Sequence, residues 1–241
     1  SRTSSLVYFI HISLLCKDTN TLYMALENTV TYLTRNTYST LNNNTSKTKN
    51  IWIVCHGIGY LSRYFIEFFK ELDPEENYII APQAPSKYYQ DKSFKYVGAS
   101  WLTKENTQVE TENVLNYMNA VFEQAVKPHL SDAINLIVFG FSQGVSVVTR
   151  WIAKNKIKCK TVILHSGGIP NELTPGQFDF LESDTAVKLI YGTQDHYLTQ
   201  ERMQGEKNKA KSLFKDKIEY FIFDGGHDMN MEIVKSSIKS N

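Results

Sequence analysis

The chain has 241 residues, of which 42% are hydrophobic and 21% charged, and its formal net charge is +1. These values are ordinary for a soluble globular protein, and the length favours one sizeable core over two domains. The small net charge, without a dense run of Lys and Arg, argues against a nucleic-acid or membrane-surface partner. The three cysteines, Cys16, Cys55 and Cys159, lack the spacing of a disulfide framework or a metal site, so we predict a cytoplasmic protein without a metal.

The first residues of the sequence include an apolar stretch, Leu6–Cys16. It is too short to cross a bilayer and no clear cleavage site follows it, so we expect no stable membrane insertion. Met24 opens a stretch that looks like a natural start. We therefore predict a single domain over residues 24–241, with residues 1–23 as an extra segment outside the core fold. A targeting segment is the alternative for residues 1–23.

Short apolar runs alternate with amphipathic stretches along most of the chain. The pattern predicts an edge strand and then buried strands at Val30–Leu41, Ile51–Cys55, Tyr78–Pro82, Ile134–Phe139, Thr161–His165, Ala186–Gly192 and Ile218–Gly226. Helical spacing predicts helices over Tyr60–Leu72, Asn106–Lys127, from Gln143, over Thr199–Phe214 and over Met229–Lys239. A long loop is expected from Gln83 to about Lys104. This alternation predicts an α/β fold, with a mostly parallel central sheet and helices on both faces.

The predicted strand ends carry the motifs that can support chemistry. In sheets of this kind, sites form at the carboxyl ends of the strands. Those ends read His56-Gly57, Gly140-Phe141-Ser142-Gln143-Gly144, Gly192-Thr193-Gln194-Asp195 and Gly225-Gly226-His227. A serine, an acid and a histidine are thus expected at the same edge of the sheet, in that chain order.

The glycine-flanked Ser142 lies between a predicted strand and a predicted helix. The pattern G-x-S-x-G in that setting is typical of a nucleophile elbow, a tight turn that exposes the serine hydroxyl. A serine hydroxyl is a poor nucleophile at neutral pH, and it needs a base that a carboxylate orients. We predict Ser142 as nucleophile, Asp195 as acid and His227 as base. The alternative is that Ser142 is a small packing residue at a strand–helix junction.

Two backbone N–H groups are candidates for an oxyanion hole. That of Gln143 follows the serine at a helix N-terminus, and that of Ile58 lies in the loop that His56-Gly57 bends after the first buried strand. We expect His56 to order this loop. Trp101, in the long loop, is a candidate substrate-binding residue. The alternative is that the aromatic residues of this loop pack it onto the body of the protein.

Other acids and histidines compete for the predicted catalytic roles. Asp224 also lies near a strand end, but only three residues before His227, so we expect it to shape the turn by side-chain hydrogen bonding. His196 would have to act beside its acidic neighbour, and His165 lies too close to its own strand. The remaining acids that we considered are Asp179, Asp184 and Asp228.

Together, these motifs resemble the phospholipase/carboxylesterase family of small α/β-hydrolases, which includes acyl-protein thioesterases and bacterial carboxylesterases. The resemblance spans about residues 50–235 and is carried by His56-Gly57-Ile58-Gly59, Ala81-Pro82, Pro85, Trp101, Gly140–Gly144, Ser166-Gly167, Gly192, Asp195 and Gly226-His227. It implies an α/β-hydrolase fold and a Ser-His-Asp esterase without metal or cofactor. Carried over, Ser142, Asp195 and His227 form the triad, and Ile58 and Gln143 supply the oxyanion N–H groups.

The segment after the His-Gly pair departs from the family's usual pattern. Acyl-protein thioesterases typically have an Asp there, whereas Gly59 is followed by Tyr60, Leu61 and Ser62. We therefore predict a serine carboxylesterase that hydrolyses a small-molecule ester with a short acyl group. A lysophospholipase and an acyl thioesterase remain alternatives, because the same triad serves them. From another class, a non-catalytic small-molecule-binding protein could use the same fold.

Overall fold

The computed structural model of the protein describes residues 25–239. The chain divides into two units, residues 1–34 and residues 35–241. The described part of the first unit, residues 25–34, is exposed and contains no helix or strand. The predicted extra segment 1–23 and Cys16 lie outside the described residues, and the predicted domain over residues 24–241 stays a prediction. Within residues 25–239, no helix is both long and apolar enough to cross a membrane.

The strands of the second unit follow the predicted apolar runs closely. They are β1 Tyr38–Leu41, β2 Asn50–Cys55, β3 Asn77–Pro82, β4 Ser86–Tyr89, β5 Val97–Ser100, β6 Asn135–Phe141, β7 Thr161–His165, β8 Ala186–Gly192 and β9 Ile218–Phe223. Seven of them form one sheet in the order β1-β3-β2-β6-β7-β8-β9. Every neighbouring pair is parallel except β1 and β3, which are antiparallel. The edge strand is shorter than predicted, because residues 30–37 form no strand.

The helices lie between these strands, except the last, which follows β9, as predicted. They are α1 Ser62–Phe65, α2 Thr107–Val121, α3 Gln143–Asn155, α4 Gln200–Phe214 and α5 Met231–Lys239. The first predicted helix differs most, because only one α-helical turn forms before the chain tightens into a 3₁₀ segment, Ile66–Glu71. The second is broken at its end, where a π turn over Phe122–Val126 precedes Pro128. Pro128 has no N–H to continue the helical pattern.

Both faces of the sheet are buried under helices. In β2, Ile51 and Ile53 belong to a core that includes buried residues of α2, α3 and α4. Trp52 and Val54 belong to a second core, with buried residues of α1 and α5. Successive side chains of a strand point to opposite faces, so a continuous apolar run is what a doubly covered strand requires. The architecture is the α/β-hydrolase fold that the sequence predicts.

The region from Gln83 to Lys104 is more ordered than the predicted long loop. It contains an antiparallel hairpin of β4 and β5, which is a two-stranded sheet of its own. All four residues of β4 are exposed, so no alternation of apolar and polar residues indicates the strand. Two hydrogen bonds hold the hairpin to the loop after β2: the Gly59 N–H donates to the Ala99 carbonyl at 2.8 Å, and the Gln90 amide donates to the Gly59 carbonyl at 2.7 Å.

The strand register brings the carboxyl ends of five strands to one edge. Cys55 of β2 pairs with Gly140 of β6, and His165 of β7 pairs with Phe141 of β6. Farther along, Gly192 of β8 pairs with Phe223 of β9. The loops that follow these strands therefore lie side by side, and they contain the predicted site residues.

Candidate active site

Ser142 occupies a strained turn between β6 and α3. Its φ is 53° and its ψ is −117°, a region that residues with a side chain rarely adopt. The turn is so tight that a Cβ atom at Gly140 would lie 2.6 Å from the Gly144 carbonyl oxygen. A Cβ atom at Gly144 would lie 2.2 Å from the carbonyl oxygen of Cys55. Both glycines are therefore required by close backbone contacts, as the elbow motif predicts.

The hydroxyl of Ser142, the imidazole of His227 and the carboxylate of Asp195 form one chain of hydrogen bonds. The distance from Ser142 Oγ to His227 Nε2 is 2.8 Å, and that from His227 Nδ1 to Asp195 Oδ2 is 2.7 Å. The carboxylate fixes the tautomer: Nδ1 carries the proton and donates it, so Nε2 is free to accept from the serine. The structure thus brings together the three side chains that lie far apart in the sequence.

Asp195 is held as a carboxylate by several donors. Its second oxygen, Oδ1, accepts from the backbone N–H groups of Tyr197 at 2.8 Å and Leu198 at 3.0 Å. Burial works to raise the pKa of this carboxyl, but the hydrogen bonds from His227, Leu198 and Tyr197 outweigh it and lower the pKa below its usual value. The group is therefore ionised at neutral pH and can stabilise a positive charge on His227.

The residues of the two predicted oxyanion donors line the same pocket as the serine. Ile58 and Gln143 both line a pocket of about 460 Å³ with Ser142 and His227. In the described part of the chain, neither backbone N–H donates to a protein acceptor. Gln143 is also the first residue of α3, where the helix dipole favours negative charge. These N–H groups are thus available to an oxygen that gains charge beside Ser142.

The pocket wall includes residues beyond the predicted catalytic and oxyanion residues. Besides Gly57, Ile58, His227 and the elbow, the pocket is lined by Tyr60, Ser146, Ser166–Gly168, Tyr197, Leu198 and Arg202. The ring of Tyr197 contacts that of His227 edge-on, with 4.9 Å between centroids. Arg202 lies on α4, and Tyr197 lies in the segment that joins β8 to α4. The path of this segment brings both residues to the pocket. The spacing of residues along the sequence therefore did not predict that Tyr197 and Arg202 line the pocket.

A profile of the phospholipase/carboxylesterase family matches residues 36–241. The chain belongs to the phospholipase/carboxylesterase family. It is therefore a member of a hydrolase family, and the resemblance noted in the sequence is confirmed. Among curated proteins, none matches this chain.

Solved structures of low identity share the fold of this phospholipase/carboxylesterase family member. Acyl-protein thioesterase 2 from Zea mays is 16% identical, with a TM-score of 0.64 over 85% of this chain and 97% of that one. Esterase PE8 is 20% identical, with a TM-score of 0.65 over 86% and 97% of the two chains. A phospholipase/carboxylesterase from Dyadobacter fermentans is 18% identical, with a TM-score of 0.61 over 87% and 98%. At these identities the likeness shows the fold alone.

Trp101 does not lie in the pocket of this family member. Its side chain is fully buried, and its indole N–H donates to the His56 carbonyl at 2.8 Å. Its backbone N–H donates to Gln143 Oε1 at 2.8 Å. Trp101 therefore joins the long loop to the loop after β2 and to the start of α3. The candidate substrate-binding role is replaced by the packing role that we kept as the alternative.

His56 has both ring nitrogens engaged within the framework of the site. Its Nε2 accepts from the Ala84 N–H at 3.1 Å, and its Nδ1 lies 2.7 Å from the Gly57 carbonyl. Burial lowers the pKa of His56 to about 4, so it is neutral at neutral pH. This arrangement matches the expectation that His56 orders the loop that carries Ile58.

The rival acid and histidine at this rim are bound elsewhere. Asp224 accepts from Gln194 Nε2 at 2.7 Å and from Thr193 Oγ1 at 3.2 Å. It thus ties the loop after β9 to the loop after β8. The prediction that Asp224 hydrogen-bonds within its own turn is therefore wrong for the contacts seen among the described residues. The ring of His196 contacts that of Tyr197 at a tilt of 40°, with 4.4 Å between ring centroids. Within residues 25–239, no three His, Cys, Asp or Glu side chains are grouped so that they could hold a metal ion.

His165 is a buried histidine directly beneath the triad. Its Nε2 accepts from the Asn230 N–H at 3.3 Å, its Nδ1 lies 2.9 Å from Ser166 Oγ, and its carbonyl accepts from the Ser142 N–H at 2.8 Å. Burial, and to a smaller extent the nearby His227, lower the pKa of His165 to about 3. The ring is therefore neutral and serves the packing of the elbow.

This neutral histidine predicts an acid-sensitive fold. The pKa of His165 is about 3 when folded and about 6.5 when unfolded, so below pH 6.5 only the unfolded chain binds the proton. The free energy of unfolding should then fall with falling pH, by about 1.4 kcal/mol per pH unit for this group, until the pH reaches the folded pKa. Urea unfolding of wild type and His165→Gln between pH 7 and pH 4.5 measures this fall in the free energy of unfolding.

Comparing the two proteins tests how steeply the free energy of unfolding changes with pH, whatever its absolute value. His165→Gln is expected to be less stable at pH 7, yet to lose stability more slowly than wild type on acidification. The exposed His129 provides a matched control, since His129→Gln should leave the slope of the wild type unchanged. Parallel curves for wild type and His165→Gln would show that His165 is not held neutral.

Proposed function

We propose that the protein is a serine carboxylesterase that hydrolyses short acyl esters through an acyl-enzyme. One observation supports this function above the others. Asp195, His227 and Ser142 form a chain of hydrogen bonds, and the strained Ser142 at its end lines a pocket. The family itself consists of hydrolases of ester bonds. The proposed reaction needs no metal or cofactor, because the base, the nucleophile and the oxyanion donors all belong to the chain.

In the acylation step, Ser142 Oγ attacks the carbonyl carbon of the ester while its proton passes to His227 Nε2. The carbonyl oxygen becomes an oxyanion, which accepts hydrogen bonds from the N–H groups of Ile58 and Gln143; each such bond contributes about 3 kcal/mol to lowering the barrier. Asp195 stabilises the imidazolium that forms. The tetrahedral intermediate then expels the alcohol, which takes the proton from His227, and an ester of Ser142 remains.

In the deacylation step, water replaces the alcohol. His227 Nε2 accepts a proton from the water as the water attacks the acyl carbon, and the same N–H groups hold the second oxyanion. The proton then returns to Ser142 Oγ as the carboxylic acid leaves. The enzyme is restored, and the sum of the two steps is hydrolysis of one ester bond.

The pocket favours a small acyl group over a long lipid chain. Its volume, about 460 Å³, is in the lower part of the range for small-molecule sites. The loop after β2 also lacks the acidic residue that acyl-protein thioesterases typically carry. Solved structures with the same fold include an acyl-protein thioesterase and an esterase, so both bond types belong in the substrate panel. We propose oxygen esters with short acyl groups as the better substrates.

A fluorophosphonate probe tests the proposal directly. The native protein should be labelled once, at Ser142, and pre-steady-state hydrolysis of 4-nitrophenyl acetate should show a burst equal to the concentration of enzyme. Protein unfolded in urea should not be labelled, because the probe requires an activated serine. Folded native protein that resists the probe and shows no burst would favour the non-catalytic binding protein instead.

A further inference from the structure

Arg202 brings a charge into an otherwise neutral pocket. Among the described residues that line the pocket, it alone carries a permanent charge, since the others are glycines, hydroxyl, amide and apolar side chains, and His227. The carboxylate of Asp195 is buried on the far side of His227 and does not line the pocket. The proposed ester chemistry itself has no use for this guanidinium, because the oxyanion is served by backbone N–H groups.

The guanidinium of Arg202, an exposed residue, makes one hydrogen bond and leaves its other donors unused. Its Nη1 donates to the Tyr197 carbonyl at 2.9 Å. Its Nη2 packs over Gly168, where an added Cβ atom would lie 3.2 Å away. A guanidinium has five N–H donors, so most of them remain for a ligand. Among residues 25–239, no carboxylate lies within ion-pair distance of Arg202.

An acid close to Arg202 is already engaged by other partners. Glu206, one turn farther along α4, accepts from the Ile169 N–H at 2.8 Å and from Lys209 Nζ at 3.2 Å. Its side chain is buried, and its charge is balanced by Lys209. Glu206 is therefore paired with Lys209 and forms no ion pair with Arg202.

The guanidinium of Arg202 and the hydroxyl of Ser142 belong to residues that line the same pocket. A Cβ atom at Gly167 would lie 2.2 Å from the Ser142 carbonyl oxygen, so the loop after β7 packs directly on the elbow. Gly168 is the next residue, about 3.8 Å farther along the backbone, and Arg202 covers it. An ester whose carbonyl is at Ser142 could therefore place a second group against Arg202 within the same pocket.

We propose that Arg202 forms an anion-binding subsite, and that the preferred substrates are esters that carry a carboxylate or similar oxyacid group a few bonds from the scissile carbonyl. This inference rests on the proposed esterase function and specifies its substrate class. Arg202 determines specificity in this proposal and takes no part in bond making or breaking. A guanidinium matches the planar geometry of a carboxylate, which a lysine at the same place would match less well.

Two pairs of esters test the subsite and locate the anion. In the first pair the anion is in the acyl group: the 4-nitrophenyl monoester of glutaric acid against 4-nitrophenyl valerate, which has a methyl group in place of the carboxylate. In the second pair the anion is in the alcohol: 4-acetoxybenzoate against its methyl ester. We expect the wild type to prefer the anionic member of one pair in kcat/KM, and added NaCl to weaken that preference.

Substitution of Arg202 should remove the preference selectively. Arg202→Gln should lower kcat/KM for the preferred anionic ester by about fivefold or more, as expected for a partly exposed charge pair, and leave its neutral partner within about twofold. Arg202→Lys should retain part of the preference. The exposed Lys154 of α3 lies outside the pocket, so Lys154→Gln controls for the loss of one positive charge. An unchanged ratio in Arg202→Gln, or equal losses for both members, would overturn the subsite.

A failure of the esterase proposal would be visible separately. If the wild type hydrolyses no ester of either pair, the proposed function fails and calorimetric titration with 4-acetoxybenzoate and its methyl ester decides the subsite. Tighter binding of the carboxylate, lost in Arg202→Gln, would support it. Equal affinities in wild type and variant would overturn it.

Discussion

Replacing Ser142 with alanine is expected to lower kcat for 4-nitrophenyl acetate by at least about 10⁴-fold. The variant removes the only atom that can form the acyl-enzyme, and residual turnover would come from the oxyanion donors and from binding. The backbone at this position has φ 53°, which strains alanine and serine alike, so the free energy of unfolding should stay close to that of wild type. Steady-state kinetics and urea unfolding measure the two effects.

Ser146 provides the matched control for this experiment. It lines the same pocket and lies one helical turn after Ser142, where its hydroxyl donates to the Gln143 carbonyl at 2.9 Å. Ser146→Ala should keep kcat within about tenfold of wild type, because the loss of one such bond costs little. If Ser142→Ala were as active as Ser146→Ala, the assignment of the nucleophile would be wrong.

Replacing Asp195 with asparagine is expected to lower kcat by about 10³- to 10⁴-fold. The reason lies in how the two oxygens are used. Oδ1 accepts from the N–H groups of Tyr197 and Leu198, so the asparagine must keep its carbonyl oxygen on that side. Its NH₂ group then faces His227 Nδ1, at the place of the oxygen that now accepts from the ring at 2.7 Å.

An asparagine in this orientation forces the wrong tautomer on His227. Since the NH₂ group can only donate, Nδ1 must accept and the ring proton moves to Nε2. Nε2 then points a proton at Ser142 and cannot remove the proton of the hydroxyl. The fold should tolerate the change, because shape and hydrogen-bond geometry are retained.

Asp224 supplies the control for Asp195→Asn. It is an exposed acid at the same rim and accepts from Thr193 and Gln194 without reaching His227. Asp224→Asn removes the same charge from the rim and should change kcat by less than about tenfold. Should Asp195→Asn match this control in kcat at pH 7, the orientation of His227 by Asp195 would have no role in the rate.

The stability of Asp195→Asn should also respond to pH in a defined direction. Because the folded pKa of Asp195 is lowered, its carboxylate adds stability above the unfolded pKa of about 3.9. That contribution disappears as the pH falls through the folded pKa. The difference in unfolding free energy between wild type and Asp195→Asn should therefore shrink as the pH falls below about pH 4.

Much of the fold follows from local sequence patterns. The run Thr161–His165 forms β7 with the predicted bounds, and Ala186–Gly192 forms β8 likewise. Strands buried on both faces must be apolar throughout, so their sequences identify them without knowledge of their neighbours. The strand β4 was not predicted, because all four of its residues, Ser86–Tyr89, are exposed. Without burial, no apolar pattern is required of them.

The sequence also predicted the elbow and the chain order of the serine, the acid and the histidine. The glycines at 140 and 144 are local requirements, since each avoids a backbone clash at a single turn. The acid and the histidine follow strands whose carboxyl ends must share one edge of a parallel sheet. Both the motif and the alternation of elements are therefore properties of the chain itself, which is why the three side chains could be named before their distances were known.

What only the tertiary structure decided is the inside of the pocket. Trp101 was expected near the substrate, yet it is buried between the loop after β2 and the start of α3. Arg202 belongs to no motif, yet it lines the same pocket as Ser142. Sequence determines which strands and turns must form, because those depend on neighbours along the chain. Which side of a loop or helix meets the substrate depends on contacts between distant segments, and these exist only in the folded protein.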